Sequence, residues 1–448
     1  MLTRAEIETV LADWNSWDHA FPSALLGQPR ALTRDILAVA TGREVIAITG
    51  VRRCGKSTVL YQLMEEMARM GIERQRLLLV NLEDHRLAPH LGTELLDRIL
   101  AVHREARVPK GPLVVFLDEI QEVPGWERWV RSHYDREPDL RFVITGSTAE
   151  LVASDLSTLL TGRTLTFTAR PLSFSEFLSF EGLDVSLGGS PSAILRANLA
   201  RRVEIAHQLA RYLEIGGFPE VVKSEDAGRR RLLLQQYFSD ILARDVARRH
   251  AVRNFDQLRD LALLLLANVA NLAAYGSLGR VLGTSASSVR TLCAHLEQAW
   301  LVAQVRLFAF SLKETVAAQR PRKVYAVDVG LRNAVVTRSS PDLGRLAENL
   351  VFEHLASAGE PPRYWKDVQE VDFVVGRAPP VPINITFGDE IPDRERAGLA
   401  AFFEKHRARE GWLITRDQAG EETLGKGRVH LVPLWAWLLC DPRDVAGR

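Results

Sequence analysis

The chain carries Gly50-Val51-Arg52-Arg53-Cys54-Gly55-Lys56-Ser57-Thr58, directly after the apolar run Val45-Ile46-Ala47-Ile48-Thr49. This is the pattern G-x-x-x-x-G-K-[ST] without a gap, set after an expected strand and before an expected helix, where it has mechanical meaning. Gly50 and Gly55 permit backbone conformations that a Cβ forbids. Successive amides then turn inward on phosphate oxygens while the following helix points its positive end at them. Lys56 is the residue to reach the β and γ phosphates, and the Ser57 hydroxyl is placed to hold magnesium. The spacing therefore predicts a site for ATP with Mg2+ built from Gly50, Arg52, Arg53, Cys54, Gly55, Lys56, Ser57 and Thr58. Arg52 and Arg53 read equally as phosphate or subunit contacts and as solvated loop residues.

A second signal lies about 60 residues further on, where the apolar strand Leu113 to Leu117 closes on Asp118-Glu119. Such a strand delivers both carboxylates to the same sheet edge as the phosphate loop. Asp118 is expected to hold the metal with Ser57, and Glu119 to polarise the attacking water. A further strand, Arg141 to Thr145, runs into Gly146-Ser147-Thr148. Ser147 is the candidate sensor of the γ phosphate or water, against an ordinary strand-end turn. Apolar strands alternating with amphipathic helices predict a parallel sheet covered on both faces.

The whole chain sets bounds on these readings. Its 448 residues leave room for about three domains, and 46 % apolar with 25 % charged residues is the balance of a globular protein. No run of 18 uncharged apolar residues occurs and the N-terminus lacks a basic-then-apolar signal, so the expectation is a cytoplasmic protein without a membrane partner. Three scattered cysteines, Cys54, Cys293 and Cys440, suggest neither disulfides nor zinc, although Cys54 reads as alkylation-sensitive from its place in the loop. A net charge of +1 gives no general pull towards nucleic acid; the local run of seven arginines between Arg229 and Arg253 reads as a solvated face or an interaction surface.

The succession Ile48 to Ser57, Leu117-Asp118-Glu119-Ile120-Gln121 with Pro124-Gly125-Trp126, Thr145-Gly146-Ser147, Thr161-Gly162-Arg163 and Pro171 to Phe177 resembles a large group of prokaryotic predicted AAA+ ATPases with a C-terminal domain of unknown function. The likeness continues through Gly216-Gly217-Phe218-Pro219 and Tyr325 to Leu331. It implies ATPase roles for Lys56, Ser57, Asp118, Glu119 and Ser147. Arg163 stands at the group's Gly-Arg position, which implies either a finger completing a neighbour's site or a structural ion pair; Arg244 and Arg248 compete for that role. A finger between subunits implies a homo-oligomer.

The expected fold class is α/β: a P-loop AAA+ parallel-sheet domain at 1–171, a helical lid and connector at 172–255, a winged helix at 256–320 and a restriction-endonuclease-like α/β domain at 321–448. The winged-helix reading rests on helix, turn, helix and an apolar hairpin from Leu301 to Phe310, offering Arg280, Ser288, Arg290, Thr291 and His295 to DNA. In the last block, Glu348 on a helix followed by Glu370-Val371-Asp372 opening a strand resembles the core of PD-(D/E)XK domains. Nucleases of that kind need E-x-K on the next strand, where this chain has Asn384 and Thr386. The domain therefore reads as degenerate, with DNA binding ahead of cleavage. The resulting expectation is an ATPase that remodels or moves on duplex or branched DNA. Its rivals are a nucleotide-gated switch acting on a protein and an ATP-regulated nuclease.

Overall fold

The computed structural model describes residues 2–147, 162–309, 320–337, 342–359, 361–376 and 378–445. The chain divides into two compact units, Met1–Arg170 and Pro171–Arg448. The first is built on five strands, β1 Val45–Gly50, β2 Leu77–Asn81, β3 Leu113–Asp118, β4 Leu140–Gly146 and β5 Thr164–Ala169, all parallel in the order β2-β3-β4-β1-β5. β1 to β4 are apolar throughout their central parts because helices lie on the sheet. On one face Val45, Ala47, Leu78, Val80, Val115, Phe142 and Ile144 pack with side chains of the helices Arg4–Trp14, Thr93–Ala106 and Trp126–Arg136. Trp14 and Trp17 border this core, and their indole nitrogens donate to Asp84 and to the Leu77 carbonyl.

The strand order has a direct consequence for function. β4 lies between β1 and β3, so the phosphate-loop strand and the strand bearing Asp118 are not neighbours. Their carboxyl ends meet across the end of β4, with Ile48 in register with Thr145, and Leu117 with Ile144. β5, which the sequence reading does not anticipate, pairs with the free side of β1 as an edge strand of alternating polar and apolar residues.

In the second unit, the described part of 172–255 is helical, ending in the helix Ala227–Asp240 and the π-helical turn region Ile241–Arg248. The helix Phe255–Ala267 then leads to β6 Leu272–Ala273, helices Tyr275–Val281 and Ala286–Gln298, β7 Val302–Val305 and β8 Arg322–Ala326. These strands form an antiparallel sheet in the order β6-β8-β7. Two expectations change here. β7 pairs with β8, whereas the hairpin expected at Leu301 to Phe310 runs into Phe310, which lies outside the described residues; and β8, assigned from the sequence to the last domain, belongs to this small sheet.

A six-stranded mixed sheet follows, from β9 Arg363–Lys366, β10 Glu370–Val375, β11 Val381–Ile385, β12 Glu410–Thr415, β13 Gly420–Leu424 and β14 Gly427–Pro433, in the order β13-β14-β12-β11-β10-β9. β10 runs antiparallel to both of its neighbours, β9 and β11, and β12 returns parallel to β11 after the helix Asp393–Lys405.

Two sequence motifs meet inside this unit. The Asp328 carboxylate caps the helix Val329–Val335 by accepting from Leu331 N, and its other oxygen accepts from Gly217 N, both at 2.7 Å. Gly330 lies so close to the Ile215 carbonyl that a Cβ there would fall 2.0 Å from the oxygen. Backbone cannot yield as a side chain does, so Gly330→Ala is expected to destabilise the second unit by about 3 kcal/mol. A denaturant or thermal midpoint equal to that of the parent would contradict this packing.

Candidate functional site

At the carboxyl end of β1 the chain turns sharply. Gly50 has φ +147° and a Cβ there would lie 2.0 Å from the Ala169 carbonyl oxygen, so β5 fixes glycine at the loop entrance. Gly55, at φ +99°, opens the helix Lys56–Arg69 with no side chain capping its first amides. That leaves backbone donors at the positive end of a 14-residue helix, the arrangement that takes phosphate. The loop is held from behind by Arg30, whose guanidinium donates to the Cys54 carbonyl at 2.9 Å and the Arg170 carbonyl at 2.8 Å. Arg30 carries no motif and escapes sequence reading.

The side chains of the two motifs converge. Ser57 Oγ donates to Asp118 Oδ2 at 2.7 Å, and Lys56 Nζ lies 3.2 Å from Glu119 Oε1. The same ammonium donates to the Gly50 carbonyl at 3.2 Å. Thr145, at the end of the intervening strand, donates to Asp118 Oδ1 at 2.5 Å and accepts from Glu119 N at 2.9 Å. Gln121 Nε2 donates to the second Glu119 oxygen at 2.5 Å. Neither Thr145 nor Gln121 is among the expected site residues; the polar residue two places before Ser147, closing an apolar strand, was the available signal. Ser147 itself is fully buried.

Glu119 sits in the left-handed region at φ +57°, a conformation that costs a residue with a Cβ about 1 kcal/mol or more. The strain turns its carboxylate back towards Lys56. Burial works against charge on all three groups, and neighbours decide the outcome. For Lys56, burial is the largest single effect, but Glu119, Cys54 and Asp118 together outweigh it and hold the ammonium above its ordinary value; for Glu119, Lys56, Gln121 and Arg52 together outweigh burial and bring the carboxyl below its ordinary value. Asp118 goes the other way: burial and the adjacent Glu119 charge push it up, against the donors Thr145 and Ser57. Asp118 thus stands beside a serine hydroxyl while the nearby ammonium is engaged by Glu119. A divalent cation would supply the missing positive charge, so this donor set fits Mg2+.

The remaining expected site residues fall as follows. Arg52 Nη1 pairs with Glu83 at 3.0 Å, Arg53 is exposed at φ +70°, and Thr58 is half-buried in the first helical turn. Cys54 is fully buried with its thiol on the Ala169 carbonyl and pushed up by burial, so its position in the loop does not make it accessible to alkylation. Arg163 precedes β5 at the sheet edge opposite the phosphate loop, 3.3 Å from Asp135 and over the Tyr134 ring, which places it outside this chain's own site. In the second unit Arg244 and Arg248 are exposed in the π-helical region, and Arg280, Ser288, Arg290 and Thr291 are exposed on their helices. His295 departs from its expected place on that surface. Its ring stacks on His250 with centroids 3.8 Å apart, because the C-terminal half of its helix packs inward.

Comparison with known proteins agrees with the sheet and loop. Residues 42–178 match the family model described as an AAA domain, and residues 206–342 and 343–437 match two domains of unknown function, DUF8612 and DUF4143. An uncharacterized protein of Methanocaldococcus jannaschii is 27 % identical over 430 residues, covering 92 % of this chain and 91 % of that one. An uncharacterized protein of Haemophilus influenzae is 27 % identical over 355 residues, 77 % of this chain and 82 % of its own. Among solved structures, the Aeropyrum pernix ORC1 protein in complex with DNA aligns at 14 % identity over 75 % of this chain and 97 % of that one; its TM-score of 0.30 is too low to carry an argument. Among the described residues no helix is long and apolar enough to cross a membrane.

The shared Thr145 hydroxyl yields a direct prediction. Thr145→Val keeps the volume but strips Asp118 of a donor and leaves the buried Glu119 amide without its acceptor, a loss of about 1–3 kcal/mol. Steady-state ATP turnover at saturating nucleotide should fall at least roughly tenfold, with Thr145→Ser restoring most of it. Equal turnover in the valine variant would show that the hydroxyl positions neither carboxylate.

Proposed function

We propose that this chain is a magnesium-dependent ATPase of the AAA+ type that uses ATP turnover to remodel or move on duplex or branched DNA. The observation that carries the ATPase reading is the convergence of Lys56, Ser57, Asp118 and Glu119, reached from two strands through Thr145. The loop amides and Lys56 bind the phosphates. Ser57 and Asp118 hold the metal, which supplies charge neutralisation on the phosphate oxygens when bound. Drawn to phosphate, Lys56 leaves Glu119, and the carboxylate, still oriented by Gln121, accepts the proton of the attacking water. In this reading nucleotide binding itself releases the base.

The DNA assignment is supported by the second unit. In support of a winged helix, the chain runs helix, strand, two helices, two strands, with β8 between β6 and β7, and the second turn-linked helix carries exposed Ser288, Arg290 and Thr291. The mixed sheet, in the order helix Leu343–Ala356, β9, β10, β11, helix Asp393–Lys405, β12, supports reading the last domain as a restriction-endonuclease-like core. Arg280 and Arg290 would contact phosphate rather than read bases. ATP turnover with magnesium should rise when duplex or four-way-junction DNA is added. Lys56→Ala should lose nucleotide binding, whereas Glu119→Gln should bind ATP and turn it over at least roughly a hundredfold more slowly. Turnover indifferent to every DNA form would favour a nucleotide-gated switch acting on a protein partner; undiminished turnover in Glu119→Gln would remove Glu119 from the mechanism.

A further inference from the structure

The second unit contains a buried ionic centre that the ATPase reading does not use. Lys323, on β8, is only 2 % exposed, yet its Nζ lies 3.0 Å from Glu348 Oε1, 2.9 Å from Glu370 Oε1 and 2.9 Å from Asp372 Oδ1. An ammonium offers three protons, and here each has a carboxylate. The carboxylates come from separate elements: Glu348 from the helix Leu343–Ala356, Glu370 and Asp372 from β10. Each carboxylate also has a further donor. Tyr325 donates to the same Glu348 oxygen, Oε1, at 2.7 Å, whereas Ile385 N reaches the other oxygen of Asp372, Oδ2, at 3.0 Å and Lys366 the other oxygen of Glu370, Oε2, at 2.9 Å. Asn384, where a second metal-binding carboxylate is expected in a nuclease, accepts from Asp372 N and donates to Glu395. The side chain of Thr386, at the lysine position of such a strand, carries no ammonium to replace that of Lys323.

We propose that Lys323 is the built-in cation of this centre: its ammonium takes the place that a divalent metal would fill among Glu348, Glu370 and Asp372. The cluster is then a metal-independent joint rather than a hydrolytic site. Among the described residues, moreover, no group of three or more His, Cys, Asp and Glu is disposed to hold a metal. The joint also has a place in the architecture. Lys323 lies in the segment 206–342 and its three partners in 343–437, the two stretches that match separate family models. One side chain therefore ties the small sheet to the large one.

The test uses the full chain, nucleotide-free, carrying Asp118→Asn so that the ATPase site does not take the ion. Mn2+ is titrated calorimetrically and the melting temperature is read with Mn2+ and with chelator. The parent is expected to bind no Mn2+ at this centre and to melt at the same temperature in both. Lys323→Met should melt lower by roughly 5 °C and recover with Mn2+, binding it at least tenfold more tightly than the parent, and adding Asp372→Asn should abolish the recovery. Mn2+ binding by the parent that Asp372→Asn removes would overturn the proposal, and so would a folded Lys323→Met variant indifferent to Mn2+. Should Lys323→Met fail to fold, Glu348→Gln with Asp372→Asn in the same chain removes the excess charge. Recovery of a folded protein then supports the joint, and failure of that variant to fold counts against it.

Discussion

Everything at the nucleotide end of this protein depends on one carboxylate gripped from two sides. Asp118 accepts from Ser57, which opens the helix after β1, and from Thr145, which ends β4. Because β4 separates β1 from β3, no backbone ladder joins the phosphate loop to the acidic pair. Two hydroxyls do so instead. The same threonine holds the Glu119 amide, and thereby the strained backbone that turns the glutamate towards Lys56. Phosphate loop, Asp118 and Glu119 are thus positioned by a single chain of hydrogen bonds that crosses three strands, each short and each made in surroundings where burial strengthens it.

The two buried lysines show how the same interaction serves different ends. Lys56 faces one carboxylate and a backbone carbonyl, at the mouth of a loop whose amides favour anions. A polyphosphate carries more charge than Glu119 alone, so that pair is built to be exchanged. Lys323 faces three carboxylates, each with a second donor of its own. Breaking it would strand several charges at once, which costs far more than the loss of one exposed pair. In the proposed mechanism the first acts as a switch and the second as a fastening.

Much of the first unit was legible in the sequence, because its signals are local. The loop pattern, the apolar strands and the Asp118-Glu119 pair each announce themselves within a few residues. What was not legible depended on strand order. Thr145 becomes a site residue only once β4 is known to lie between β1 and β3, and Arg30 only once its helix folds back beneath the loop. β5 escaped because an edge strand needs only half its residues apolar. In the second unit the missing lysine of the nuclease-like pattern was sought on the strand of Asn384 and Thr386, whereas the buried lysine comes from β8, some 50 residues before Asp372. His295 similarly carries a surface-like spacing but a packed environment, set by His250 in the turn after the π-helical region.

The central claim is that the first unit holds a magnesium nucleotide with Lys56, Ser57 and Asp118. It is tested most directly by equilibrium titration of nucleotide-free protein with a fluorescent ATP analogue, with magnesium and with chelator. The account predicts saturable binding at one site per chain, tightened by magnesium and insensitive to magnesium once Asp118 is replaced by asparagine. Absence of saturable binding, or a magnesium response that survives that replacement, would contradict it.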